Sequence, residues 1–128
     1  MELVEIVIGV ALLQLIYFSI RVGAARAKYN VPAPATTGHE IFERHYRVQM
    51  NTIEQSVVFL PAIWLFANQI SALWAAALGA VYIVGRFVYE RGYVAEPKKR
   101  SLGFGLSFLP IVILLLGGLG GAIVTAVR

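Results

Sequence analysis

Cysteine is absent from the chain, which excludes disulfides, thiolate metal sites and a cysteine nucleophile. Charge is scarce as well. Asp, Glu, Lys and Arg make up 14% of the 128 residues, against 59% apolar. The two histidines, His39 and His45, have no carboxylate cluster at metal-ligand spacing. They read as interfacial or loop residues, and no metal site is expected. Lys and Arg outnumber Asp and Glu by 11 to 7, a net charge of +4. No basic helix or aromatic-interleaved patch accompanies that excess, so no nucleic-acid partner is expected. A soluble domain of this size leaves much of its surface in water. A chain with mean hydropathy +0.73 calls for hydrocarbon as its solvent instead.

What the chain does have is four long apolar runs. They predict helices over about 3–28, 41–69, 72–94 and 101–127, each near or above the roughly 20 residues that cross a bilayer core. The expected fold class is therefore all-α and integral to the membrane: one four-transmembrane-helix bundle spanning 1–128. The opening Met-Glu-Leu-Val-Glu carries no basic start, and Arg21 follows the first run. That pattern predicts a retained first helix in place of a cleaved leader. The runs are continuous and do not alternate apolar with polar, so a β-barrel is not expected.

The connections differ in kind. Arg21 to Glu40 contains Pro32, Pro34 and Gly38, which break a helix. Helices 2 and 3 are separated only by a tight polar turn around Asn68 to Ser71, while Arg86 to Arg100 holds Pro97 and the run Lys98-Lys99-Arg100. Ten of the 11 basic residues fall at the face shared by the first and third connections, leaving Arg128 alone opposite. The positive-inside rule makes the basic face cytoplasmic and both termini external. Pro61 and Pro110 should loosen their helices, which neighbours in a bundle can repair. Gly117 and Gly121 form a G-x-x-x-G pair that reads as a close-packing device with no catalytic role.

Two polar stripes stand out against this background. Arg44, Arg47, Asn51, Glu54 and Gln55 recur at helical spacing on helix 2, which places them on one face. Tyr82, Arg86, Tyr89 and Tyr93 do the same on helix 3. Ionisable groups in a membrane helix are costly and by default face a cavity or the protein interior. The bland alternative is an ion-pair network joining helices, for example Glu54 with Arg47 or Arg86. Arg47 to Glu54 spans about 10 Å of helix axis at 1.5 Å per residue, the size of an extended tripeptide. Arginines grip carboxylates bidentately, Glu54 suits an ammonium group, and tyrosines add hydroxyl donors on aromatic walls. A ligand with two carboxylates and one amine fits, and glutathione is such a molecule.

The helix 2 segment Phe42-Glu43-Arg44-x-Tyr46-Arg47-x-Gln49-x-Asn51-x-x-Glu54 resembles the most characteristic motif of the MAPEG family, the membrane-associated proteins of eicosanoid and glutathione metabolism. Arg86-x-x-Tyr89-x-x-Gly92-Tyr93, followed by Arg100, resembles the family's helix 3 motif and the arginine beyond it. Arg26 and Thr36-Thr37-Gly38 correspond too. The resemblance covers nearly the whole chain and points to the branch of leukotriene C4 synthase and microsomal glutathione transferase 2, as a bacterial member.

That resemblance implies a homotrimer with glutathione sites between subunits on the cytoplasmic side of a bacterial inner membrane. Carried over by position, Arg47, Asn51, Glu54, Tyr89 and Tyr93 would bind glutathione from one subunit, and Arg26 and Gln49 from its neighbour. Arg86 would support the carboxylates, and Arg100 would hold the thiolate as the catalytic residue. The implied activity is glutathione transfer to lipophilic electrophiles dissolved in the bilayer, with reduction of lipid hydroperoxides as a second reaction. Three positions depart from leukotriene C4 synthase. Gln55 replaces a tyrosine, Val57 a proline, and Ala27 a second arginine; a leukotriene-specific pocket does not follow. Two other readings compete. A non-catalytic lipid- or glutathione-binding protein of the same fold would be expected to lose Arg100 and much of the motif. A small four-helix transporter would be expected to have very short loops and an isolated carboxylate in helix 1.

Overall fold

A computed structural model describes residues 1–128. Four helices account for most of the chain: α1 (Glu2–Tyr29), α2 (Glu40–Gln69), α3 (Ala72–Ala95) and α4 (Ser101–Ala126), with a 3₁₀ turn at Pro97–Arg100 leading into α4. Each helix is long and apolar enough to cross a membrane, and no strand is present. The fold is the all-α, four-helix membrane architecture expected from the composition.

Local chemistry sets the helix ends. Asn30 adopts the left-handed conformation (φ 55°) after α1, a conformation that asparagine tolerates better than most residues. His39 caps α2, its Nδ1 accepting from the Ile41 N–H at 3.1 Å, while its ring stacks on Tyr29 with centroids 3.9 Å apart. The Ser71 hydroxyl caps α3 by accepting from the Trp74 N–H at 3.2 Å. Pro97 opens the 3₁₀ turn, where its missing N–H costs nothing. Pro61 and Pro110 sit inside α2 and α4 without ending either helix.

Apolar residues occupy both sides of the bundle. Val4, Phe59, Ile63, Ala75, Ile111 and Leu114 are buried at its centre. Leu13, Ile20, Leu73, Trp74, Leu109 and Leu116 are exposed on its outside. A helix apolar all round belongs in lipid. Glycines set the closest approaches. A Cβ at Gly117 or Gly118 would meet Phe66 or Leu65, and one at Gly121 would meet Gln69. The glycine-rich segment of α4 thus lies against the second half of α2. Nearer the basic end, Gly85 admits the Ser107 backbone and Gly103 admits the Tyr89 backbone. This holds α3 and α4 in near backbone contact.

Candidate functional site

Arg86 is the deepest charged group. It is fully buried and its guanidinium has no carboxylate partner. One Nη donates to Asn51 Oδ1 at 2.7 Å and, more weakly, to Thr52 Oγ1 at 3.3 Å. The other Nη donates to Ser107 Oγ at 2.7 Å. The guanidinium also lies 4.3 Å from the centroid of the Tyr89 ring. A buried cation satisfied only by neutral dipoles is tolerable when its hydrogen bonds are made. Here α2 and α4 supply partners for both Nη atoms, while the buried Nε has none, so Arg86 binds three helices together and holds Asn51 and Tyr89 in place.

Above this network lies a cavity of about 300 Å³ lined by Arg47, Asn51, Tyr89, Tyr93, Arg100 and Phe104. The first two come from α2 and the tyrosines from α3. Arg100 closes the 3₁₀ turn and Phe104 begins α4. Tyr89 and Tyr93 stack with centroids 5.6 Å apart, forming one wall. Two arginines line the cavity and a third sits beneath it. Glu54 approaches Arg47 at 3.4 Å, and both side chains are largely exposed, so their mutual attraction is weak. The result is a basic, aromatic-walled recess beside the start of α4, and the two guanidinium groups in its wall favour an anion.

Not every residue singled out on the sequence reaches this recess. Arg26 lies in α1 beside a different hollow, formed with Asn30, Val31 and Pro32. Its guanidinium donates to Ala35 O at 2.7 Å and covers the Phe42 ring at 4.7 Å. Gln49 is half-buried on α2 and does not line the recess either. Arg86 lies below the recess and does not open into it. Two stripe members have other work. Arg44 donates to the last carbonyls of α3, Val94 O at 3.0 Å and Ala95 O at 3.1 Å, and pairs with Glu40. This caps α3. Tyr82 is buried and stacked on Phe59 at 3.8 Å between centroids. Spacing alone put both on polar faces, but each face wraps far enough around its helix to reach a neighbour.

Some participants have a weak sequence signal. Ser107 and Thr52 are single hydroxyls in apolar runs, which ordinarily satisfy themselves on their own helix. Ser107 Oγ does reach Gly103 O at 2.9 Å, and Thr52 Oγ1 reaches Val48 O at 2.8 Å. Glu90 is a buried carboxylate in α3, 3.6 Å from Arg21 of α1. An acidic residue at that depth was the available signal. No three His, Asp or Glu side chains converge to hold a metal.

Four helices able to cross a bilayer, with a basic recess at one end of the bundle, define a multi-pass integral membrane protein. Residues 4–120 match the MAPEG family, and the chain belongs to that family. It is 53% identical over 100 residues to an uncharacterized protein of Synechocystis, covering 78% of this chain and 73% of that one. It is 44% identical over 105 residues to human microsomal glutathione S-transferase 2, covering 81% and 71%. It is 38% identical over 84 residues to bovine leukotriene C4 synthase, covering 66% and 56%.

Proposed function

We propose that the chain is a membrane-bound glutathione transferase that presents the glutathione thiolate to lipophilic electrophiles. The observation that carries this reading is the gathering of Arg47, Asn51, Tyr89, Tyr93 and Arg100 around one recess. Similarity to a glutathione S-transferase and to leukotriene C4 synthase supports it.

In this reading Arg47 binds a carboxylate of the tripeptide, Glu54 its ammonium group, and Asn51 and the tyrosine hydroxyls the polar backbone. Arg86 acts through Asn51 and Tyr89, holding both in position. Arg100 faces the sulfur. A free thiol with pKa near 8.5 is mostly protonated at neutral pH, and a guanidinium beside it lowers that value. The thiolate attacks an electrophilic carbon, the S–C bond forms, and the leaving group departs with the electron pair or an opened ring oxygen takes up a proton. The peroxidase reaction consumes two glutathiones per hydroperoxide, yielding an alcohol, water and the glutathione disulfide. Neither reaction requires a protein nucleophile.

The site is completed across subunits of a homotrimer. Arg26, Gln49 and Glu54 do not line the recess of their own chain, and Glu54 is exposed beside the similarly accessible Arg47; a neighbouring chain supplies the missing wall. The basic end faces the cytoplasm of a bacterium, with the termini external, by the positive-inside rule. The test uses purified protein in detergent, with glutathione plus either a chloronitrobenzene or a lipid hydroperoxide. Conjugation with the first, and glutathione binding by calorimetry, are expected from a trimer. Absence of both activities together with absence of binding overturns the reading. A stable monomer with full glutathione affinity overturns the shared site while leaving the activity standing.

A further inference from the structure

A second recess lies on the far side of the turn that carries Arg100. It encloses about 390 Å³ and is lined by Phe87, Val88, Arg91, Gly92, Lys99 and Leu102. Its composition is divided. Phe87 and Leu102 are exposed apolar side chains, and they form the part of the groove nearer the middle of α3 and α4. Arg91 and Lys99 stand toward the basic end of the bundle. Neither belongs to any ion pair of the chain, the nearby Glu90 being held by Arg21. Gly92 forms the floor. A Cβ there would lie 2.5 Å from Lys99 O, so its absence lets the Pro97–Arg100 turn close against α3 and shape the notch.

We infer that this notch binds the headgroup phosphate of an anionic phospholipid, with one acyl chain descending along Phe87 and Leu102. Two free cations above an apolar groove complement a phosphate diester attached to hydrocarbon. A basic pocket between membrane helices at the headgroup level is the usual setting for such recognition. The notch is separate from the recess of Arg47 and Tyr89, but both share the 97–100 turn, with Lys99 on one side and Arg100 on the other. A bound lipid therefore braces the segment that carries Arg100. The inference stands on the notch alone and does not depend on the transferase reading.

The experiment is native mass spectrometry of the delipidated protein in neutral detergent, titrated with dioleoyl phosphatidylglycerol or dioleoyl phosphatidylcholine. Wild type is expected to retain phosphatidylglycerol at a saturable site, one per chain, and not phosphatidylcholine. The double variant Arg91→Gln/Lys99→Gln should bind phosphatidylglycerol about 30-fold more weakly, from roughly fivefold per basic side chain. Lys98→Gln, on the same turn but outside the notch, should match wild type. Three results overturn the proposal. An equal loss in Lys98→Gln points to diffuse surface charge. Displacement of the lipid by glycerol phosphate at similar concentration points to a soluble anion site. Failure of wild type to retain the lipid means that the notch is covered, by another copy of the chain for instance.

Discussion

Replacing Arg100 with alanine separates thiolate activation from simple topology charge. Arg100 is exposed and makes no hydrogen bond or ion pair within the chain, so its removal should leave stability within about 0.5 kcal/mol of wild type. Its effect on a bound thiolate is larger. Two unit charges 4 Å apart attract by about 4 kcal/mol at an effective dielectric of 20. Solvent at this open recess leaves roughly two-thirds of that, or about 2 pKa units at 1.36 kcal/mol per unit. Taking about 2 units from a starting pKa near 8.5, the thiolate fraction at pH 7 is roughly 75% in wild type and 3% in Arg100→Ala, a ratio of about 25. Turnover falls less than this, because thiolate nucleophilicity rises with pKa with a Brønsted slope of about 0.45. A 2-unit rise makes each thiolate about eightfold more reactive, so the net loss at pH 7 is about threefold. Near pH 9 both proteins are mostly ionised, and the variant should be the faster one. Crossing pH–rate profiles, with the ultraviolet thiolate absorbance of bound glutathione titrating about 2 units higher in the variant, are therefore expected. Lys99→Ala should show neither effect. Superimposable titrations in wild type and Arg100→Ala would refute the assignment of Arg100 to the thiolate.

The other expectations follow from burial and contact. Glu54→Gln should weaken glutathione binding at least several-fold by removing a charge-assisted bond, while the melting temperature stays nearly constant, because the Arg47–Glu54 pair is exposed; calorimetry and a thermal melt read the two separately. Ser107→Ala removes one of the hydrogen bonds of buried Arg86 and should cost about 1.5–3 kcal/mol, measured by denaturant titration in detergent. Gly103→Ala would push a methyl group into the Tyr89 backbone and should cost about 1–3 kcal/mol, with glutathione affinity falling alongside. Gly105→Ala two residues on meets nothing within 4 Å and should be neutral or stabilising by up to about 1 kcal/mol. Equal melting temperatures for these two glycine variants would show that the α3–α4 approach is not tight.

The membrane character and the number of helices were legible in the sequence, because a hydrocarbon solvent imposes the same requirement on every span: an apolar run long enough to cross it and backbone groups satisfied within the segment. The family could be read too, since its motif consists of charged and aromatic residues at helical spacing in segments otherwise apolar, where such residues are rare. Spacing says which residues share a face, but not what that face meets. Arg44 and Arg47 are three residues apart on α2, yet Arg44 caps α3 and Arg47 lines the recess. Tyr82 and Tyr89 lie on one stripe of α3, yet Tyr82 packs on Phe59 and Tyr89 forms a wall. The lateral positions of the helices decide these fates, and those positions depend on where glycines permit backbones to touch. Gly85 and Gly103 bring Ser107 to Arg86 and set the start of α4 beside Tyr89. Only the packed bundle brings Arg100 to the same recess as Arg47, 53 residues earlier in the chain. Its sequence neighbours Lys98 and Lys99 carry the same charge, and the direction of a single 3₁₀ turn is what separates them.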